Sequence, residues 1–407
     1  MIILYAIPVF MLMIAVEAIS DRLSKRGYYR FNDALGSLAT GMLNRTMNFL
    51  TLYVNWAAYS ALFGYFGYFE LPVNAITWLA AFVIYDFFYY WSHRLAHTYS
   101  LFWNAHAVHH QSEEFNLTTA LRQPFTGVVQ GSLVYLPMTL MGFSPAMVAV
   151  VGSLNLIYQF WVHTRFVPKL GYLEAVFVTP SNHRVHHGMN DRYIDRNFGG
   201  VFILWDRLFG TFQDELETDP VVFGVRKPLN SFNPFYANVQ IYAQMLRDIW
   251  VGKSVHLAWQ VLTSRTGQRP EAIAQKAPIE RLDLASFQPF NPTRARGSLL
   301  VVWSQLIFSL IYTVWFLLSI DQTGFVSALA HFLPLGLALF SMGMLLEGRT
   351  LGWWLEGVRL AYIGAALTVL PVNWPVAPAS IYLAVSILLL LGALAMAMRR
   401  FRPVVSD

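Results

Sequence analysis

Between positions 93 and 187 the chain reads His93-Arg94-Leu95-Ala96-His97, then His106-Ala107-Val108-His109-His110, a single His163, and His183-Arg184-Val185-His186-His187. The spacings are HxxxH, HxxHH and HxxHH. On a helix, residues at i, i+3 and i+4 share a face. The stretch therefore predicts helical runs, each aiming two or three imidazoles at a common point. Imidazole is the commonest metal ligand among side chains, and a structural zinc site takes four ligands. Nine imidazoles are too many for one ion and suit two ions with four or five each. His256 and His331 have no partner at helical spacing and read as non-ligands.

Of the 407 residues, 56% are hydrophobic and 13% charged, and mean hydropathy is +0.44. Soluble domains carry about a quarter charged residues. The expected class is an all-α integral membrane protein, a multi-span helical bundle with a histidine-rich two-metal site. The chain has no cysteine, which excludes disulfides, thiolate metal sites and iron–sulfur clusters. A spanning helix needs roughly 20 apolar residues. Candidate spans cover 2–19, 48–66, 75–92, 298–319, 325–346, 360–370 and 380–398. Shorter apolar runs, 127–141 and 145–162, flank Gly142-Phe143-Ser144-Pro145 and read as a hairpin that does not fully cross. The amino terminus lacks a basic region and a small-residue cleavage pattern, so it reads as a retained anchor.

All 28 Lys and Arg fall in the segments expected to connect or follow the spans: the loop 20–45 between the anchoring spans, 93–126, 164–297, the loop 347–359 and 399–407. The intervening loops 67–74, 320–323 and 371–378 carry none. Positive charge marks the cytoplasmic side, which places the histidines on the cytoplasmic face of an inner membrane, with Met1 outside and Asp407 inside. The net charge of +5 is then a membrane-surface feature. No basic cluster on a soluble domain suggests nucleic acid. Four segments follow: anchoring spans 1–70, a histidine-bearing core 71–215, a cytoplasmic segment and linker 216–297 with one helix near 238–262, and carboxy-terminal spans 298–407.

Further candidates share faces with the histidines. Asp86, Tyr90, His93 and His97 lie on one helical face. A carboxylate within a span needs a partner, so Asp86 is expected either to orient a ligand histidine or to bond a tyrosine. Asn155, Gln159 and His163 recur every four residues as an inward stripe. Gln159 stands where another histidine would complete HxxxH. It marks either an open metal position or an interhelical hydrogen bond. Glu113, Glu114, Asp191, Asp195 and Asp206 are additional acceptor candidates. Ser181 is the expected N-cap of the last histidine turn, Pro180 its entry and Gly188 its stop.

All-nitrogen coordination suits iron, zinc, copper or nickel. Two irons with open positions can split oxygen and oxidise an unactivated C–H bond, which fits a site where a lipid chain reaches up from the bilayer. No Glu-x-x-His pairs of the ferritin-like type occur. A zinc lipid hydrolase would need one ion, an open site and a water-activating carboxylate. A metal transporter would carry its ligands at the bilayer midplane, whereas these histidines flank span ends.

The three histidine motifs resemble those of the membrane fatty acid hydroxylase and sterol desaturase superfamily. Within it the match is closer to the alkylglycerol (glyceryl-ether) monooxygenase family. Beyond the motifs it is carried by 106–113, by Asn116-Leu117-Thr118-Thr119-Ala120-Leu121-Arg122-Gln123, by Gln159-Phe160-Trp161-Val162-His163-Thr164 and by 181–211. The resemblance covers about residues 40–215 well and the remainder loosely. It implies a di-iron monooxygenase with all nine clustered histidines as ligands, O2 as co-substrate and tetrahydrobiopterin as external reductant. It also implies an O-alkyl lipid substrate, hydroxylated next to the ether oxygen to give an aldehyde and a glycerol. A sterol or fatty-acyl hydroxylase or desaturase is the near alternative. Thr98 follows His97 where the animal members are expected to carry an acidic residue. The chain has neither a Gly-rich dinucleotide fingerprint nor a haem-binding His-Pro-Gly-Gly, so electrons come from an external donor. Gln159, Asn155 and Asp86 are the expected site residues besides the ligands.

Overall fold

The computed structural model describes residues 2–66, 69–127, 134–280, 282–294, 297–319, 325–368 and 382–391. Every regular element among them is helical, apart from isolated single-residue bridges such as Gly188 with Phe223. The chain separates into two compact units. The first comprises Met1–Leu38, Leu50–Leu229 and Asn238–Pro289, and the second Ala39–Phe49, Asn230–Ala237 and Phe290–Asp407.

The first unit holds every clustered histidine. Its framework is α1 (Ile2–Ser24), part of α2 (Phe31–Phe66), α3 (Ala75–Thr98), α4 (Ser100–His110) and α5 (Leu117–Leu121). After α6 (Leu136–Leu140) come α7 (Pro145–Trp161), α8 (Pro180–His186) and α9 (Leu204–Leu208). Most of α10 (Pro234–Gly252), α11 (Val255–Thr263) and α12 (Glu271–Lys276) completes it. Helices α3 and α7 pack through Ala81, Met147, Val148 and Val151, with Met138 of α6 and Phe143 of the turn between. Helix α1 lies on α7, where Phe10 stacks on Phe160 at 3.9 Å between ring centroids. Glu17 of α1 accepts from the backbone N–H of Leu117 and from Thr164, the residue after His163. The amino-terminal helix is thus tied to the histidine-bearing loops by a buried carboxylate.

In the second unit α13 (Ser298–Ser319), α14 (Phe325–Leu346) and α15 (Leu351–Thr368) pack together. Their polar residues face inward. Gln305 donates to Ser341 and to Glu356, and Glu356 pairs with the fully buried Arg359. In an apolar bundle such groups must find one another. A further apolar helix, α16, spans Tyr382–Leu391.

Four expectations change. The segment 20–45, expected as a loop, is mostly helix, with α1 running to Ser24 and α2 beginning at Phe31. Buried Asp33, Thr40, Asn44 and Thr46 give α2 an inward polar face that a hydropathy reading scores as loop. The single helix expected near 238–262 is two, broken where Lys253 adopts φ +48°. The segment 347–359, expected as a loop, mostly belongs to α15, because Glu356 and Arg359 satisfy each other inside it. The apolar run 127–141 forms only the short α6 among its described residues.

Two described helices are long and apolar enough to cross a membrane, Ser298–Ser319 and Ser327–Leu346, while Pro145–Trp161 and Tyr382–Leu391 are apolar but shorter. They point to a membrane protein. The loops expected at 320–323 and 371–378, most of the span expected at 380–398 and the terminus at 407 lie outside the described residues.

Candidate metal centre

Four elements deliver the nine imidazoles. The end of α3 carries His93 and His97, α4 carries His106, His109 and His110, the loop after α7 carries His163, and α8 with its C-cap carries His183, His186 and His187. Helix α8 is started by Thr179, not Ser181. Thr179 is extended, its side chain accepts from the backbone N–H of Asn182, and Asn182 bonds back to Thr179 N–H. Pro180 occupies the first helical position, so the cap falls one residue before it.

The rings converge in two groups. His93, His97, His106, His110 and His186 form one, and His109, His163, His183 and His187 the other, with ligand atoms in each group within 4.8 Å of one another. Neither HxxHH motif serves a single point. The i, i+4 pairs His106/His110 and His183/His187 stay together, while His109 and His186 cross to the other group. Successive residues are about 100° apart around a helix, so adjacent histidines at the end of each motif cannot face one centre.

The protons on these rings decide what the groups can hold. Nδ1 of His93, His109, His163 and His186 lies 2.8, 3.0, 2.8 and 2.9 Å from the backbone carbonyls of Phe198, Arg122, Gln159 and Arg196. A carbonyl only accepts, so each Nδ1 carries the hydrogen and each Nε2 is a bare lone pair. The Nε2 atoms of His109 and His163 nevertheless stand 3.2 Å apart. Two lone pairs cannot bond each other, and a cation between them removes the repulsion. Six further Nε2 pairs within the groups are 2.8 to 3.2 Å apart. Two nitrogens at right angles on an ion with bonds of about 2.1 Å would be about 3.0 Å apart. The imidazoles of each group therefore could hold a metal ion.

Burial pushes the pKa of every clustered histidine below the ordinary 6.5, for His109 to about 4. All nine are neutral at pH 7, as ligation requires. The sign of the pH dependence follows. Below about pH 6.5 the unfolded chain takes up protons that the folded metal-free protein refuses. Stability is full above that value and declines as pH falls toward His109's pKa of about 4. Thermal midpoints of metal-free protein should hold from pH 7.5 to about 6.5 and drop steadily from there to 4.5, and a flat profile throughout would contradict the neutral assignment.

The expected carboxylates occupy different places. Asp195 lies 3.4 Å from Nδ1 of His97, the one acidic group facing a clustered ring among the described residues. The side chain of Thr98, where the animal members are expected to carry an acidic residue, bonds the carbonyl of Arg94. Asp191 pairs with Arg226 at the surface. Glu113 and Glu114 engage Arg30, and Glu114 also Arg165. Asp206 accepts from the backbone N–H of Phe198 and Gly199, and burial pushes its pKa up to about 6. It thereby fixes the carbonyl of Phe198 that receives His93.

Asp86 hydrogen-bonds neither a histidine nor a tyrosine among the described residues. It accepts from the backbone N–H of Val201 and Phe202, the indole of Trp205 and the amide of Asn155, at 2.7 to 3.0 Å. A buried carboxylate is the acceptor that this loop, held beside α3, requires. Gly200 permits the approach, since a Cβ there would stand 2.8 Å from Asp86 Oδ1 and from the Tyr89 ring. Asn155 in turn accepts from the Gln159 amide, whose oxygen accepts from Tyr89. The side chain of Gln159 is thus engaged by Tyr89 and Asn155, while its backbone carbonyl orients His163. Replacing Asp86 by Ala strands two buried donors and two part-buried ones, at roughly 1–3 kcal/mol for each buried one. We expect at least about 3 kcal/mol of destabilisation, read from thermal unfolding in detergent, and a loss below about 1 kcal/mol would show that the loop has other anchors.

The fatty acid hydroxylase family model matches residues 78–211, the segment that holds all nine imidazoles. The chain is 34% identical over 365 residues to an alkylglycerol monooxygenase of Danio rerio, covering 88% of this chain and 80% of that one. The chain belongs to the fatty acid hydroxylase family. It is also 38% identical over 247 residues to the human alkylglycerol monooxygenase, across 60% of this chain and 54% of that protein. An ornithine lipid hydroxylase of Rhizobium tropici is 29% identical over 133 residues, 32% of this chain and 40% of that one. These relatives are hydroxylases and monooxygenases, which supports an oxidoreductase. No solved structure matches the chain.

Proposed function

We propose that this protein is a di-iron, oxygen-dependent monooxygenase of membrane lipids. Its proposed reaction hydroxylates the carbon next to the ether oxygen of an alkylglycerol lipid. The observation that carries the reading is the pair of adjacent all-imidazole groups, five and four, within the family-matched segment. Bound there, two irons would supply oxygen activation and C–H oxidation. The proposed ligands are the nine clustered histidines. The carbonyls of Phe198, Arg122, Gln159 and Arg196 keep four of the rings in the ligating tautomer. Trp103 and Phe115, whose rings lie 5.0 Å from His97 and 5.1 Å from His187, wall the groups off from water. Asp86, Asn155 and Gln159 are proposed to hold the loop at Val201 and Phe202 against α3 and α7 beside the centre, and to act on turnover through it.

One oxygen atom enters the lipid as a hydroxyl and the other leaves as water, using two electrons and two protons from an external donor, proposed as tetrahydrobiopterin. The product is a hemiacetal, which separates into a fatty aldehyde and a glycerol without a further catalyst. The proposed location is the cytoplasmic face of an inner membrane, following the distribution of Lys and Arg.

Nitrogen sites hold zinc more tightly than iron(II), so the test begins with anaerobic iron loading. Alkylglycerol, fatty-acyl and sterol lipids are then supplied separately with oxygen and tetrahydrobiopterin. Aldehyde and glycerol should form from the alkylglycerol alone, and only with iron and oxygen. A hydroxylated or desaturated sterol or acyl chain would move the substrate to those classes. Product formed without oxygen would mean hydrolysis.

A further inference from the structure

We infer that the exposed stripe on α10 and α11 is a membrane-docking face that seats in the headgroup–acyl boundary of the leaflet. The two helices share a core of Met245, Val261 and Ile273, with Ile249 and Leu257 against it. Outside that core they leave large apolar side chains uncovered. Leu246 is 66% exposed, Trp250 73%, Val255 88% and Trp259 65%. Val239 and Leu246 precede Trp250 on α10 at helical spacings of eleven and four, and Val255 and Trp259 are four apart on α11. Both helices thus carry an ordered stripe.

The charges around the stripe select its occupant. Arg247 and Lys253 are exposed beside it, and the Lys253 ammonium lies 5.9 Å from the centre of the Trp250 ring. The acidic neighbour, Asp248, is turned inward and pairs with Arg269. The exposed face therefore presents tryptophan, aliphatic carbon and positive charge without an exposed carboxylate between 239 and 263. Tryptophan prefers the bilayer interface, long cations reach to the headgroups, and such a face binds anionic lipid surfaces. A second copy of the chain would instead set Arg247 and Lys253 against their own kind. The buried side of α11 packs on α4, the helix that carries His106, His109 and His110. Seating α11 in the leaflet would hold that helix at lipid depth, whichever reaction the centre performs.

The absence of cysteine makes the test direct. Single variants Trp250→Cys, Val255→Cys and Trp259→Cys, with Gln275→Cys as an exposed polar reference, are labelled with an environment-sensitive fluorophore. The full chain is reconstituted in vesicles of phosphatidylcholine and phosphatidylglycerol. Acyl-chain nitroxide lipid should quench positions 250, 255 and 259 several-fold more strongly than aqueous iodide does, with the order reversed at 275. Iodide quenching at all three equal to that at 275 would overturn the proposal. Protection from both quenchers would also overturn it, because the occupant would then be protein. All four sites are exposed, so labelling does not disturb a core. Replacing phosphatidylglycerol by phosphatidylcholine should shift the three labels toward water, and no shift would remove the role given to Arg247 and Lys253.

Discussion

His187→Ala should abolish turnover and leave the purified protein short of metal. His187 belongs to the smaller group, with His109, His163 and His183. Its loss leaves three imidazoles, and one of these is weakly set by the protein, since Nδ1 of His183 is buried without a hydrogen-bond partner. The larger group keeps four rings after any single replacement. Substitutions at His93, His97, His106, His110 or His186 should therefore also stop turnover but cost less bound metal than those at His109, His163, His183 or His187. His256 is exposed, and His331 sits beside Tyr312 in the second unit, so His256→Ala and His331→Ala should change neither quantity. The measurement is metal content by elemental analysis alongside turnover on the same iron-loaded samples. Normal metal and full activity in His187→Ala would remove the smaller group as a metal site.

Side chains that repeat at helical spacing were legible in the sequence, and main-chain partners were not. His93 and His97 read as one face because both project from α3 one turn apart. The division into five and four was not legible, because it depends on how α4 and α8 are rotated against each other and packing sets that rotation. The acceptors for His93, His109 and His186 are carbonyls of Phe198, Arg122 and Arg196, and a carbonyl carries no residue signature. Asp206 and Gly200 offered a faint signal: an acidic residue and a glycine pair beside an aromatic-rich loop mark backbone that must be held closely. Asp86 was visible as a buried carboxylate, but its partners, the N–H groups of Val201 and Phe202, lie more than a hundred residues away. The inward polar face of α2 was missed for a related reason. Asp33, Thr40, Asn44 and Thr46 lower the hydropathy that a span reading relies on, although each is buried.

Gln159→Ala should retain most of the metal while turnover falls about 10- to 100-fold, the usual cost of removing a group that supports ligands from outside the coordination sphere. The structure separates the two parts of this residue. Its backbone carbonyl receives the Nδ1 hydrogen of His163, and any substitution keeps that bond. Its amide joins Tyr89 to Asn155, and Asn155 leads to Asp86 and the loop at Val201. Alanine orphans the Tyr89 hydroxyl and the Asn155 side-chain oxygen, so the expected defect is a loosened loop at Val201 beside a loaded centre. Gln159→His tests the other possibility, that an open metal position lies within reach of this side chain. A tenth imidazole would then raise metal affinity and close the position, so turnover would fall as affinity rose. If the amide is only a bond between α3 and α7, its worth is about 0.6 kcal/mol, and both variants should turn over nearly as the parent does. Metal content and turnover in the two variants discriminate the three cases, and near-normal turnover in both would take Gln159 out of the site.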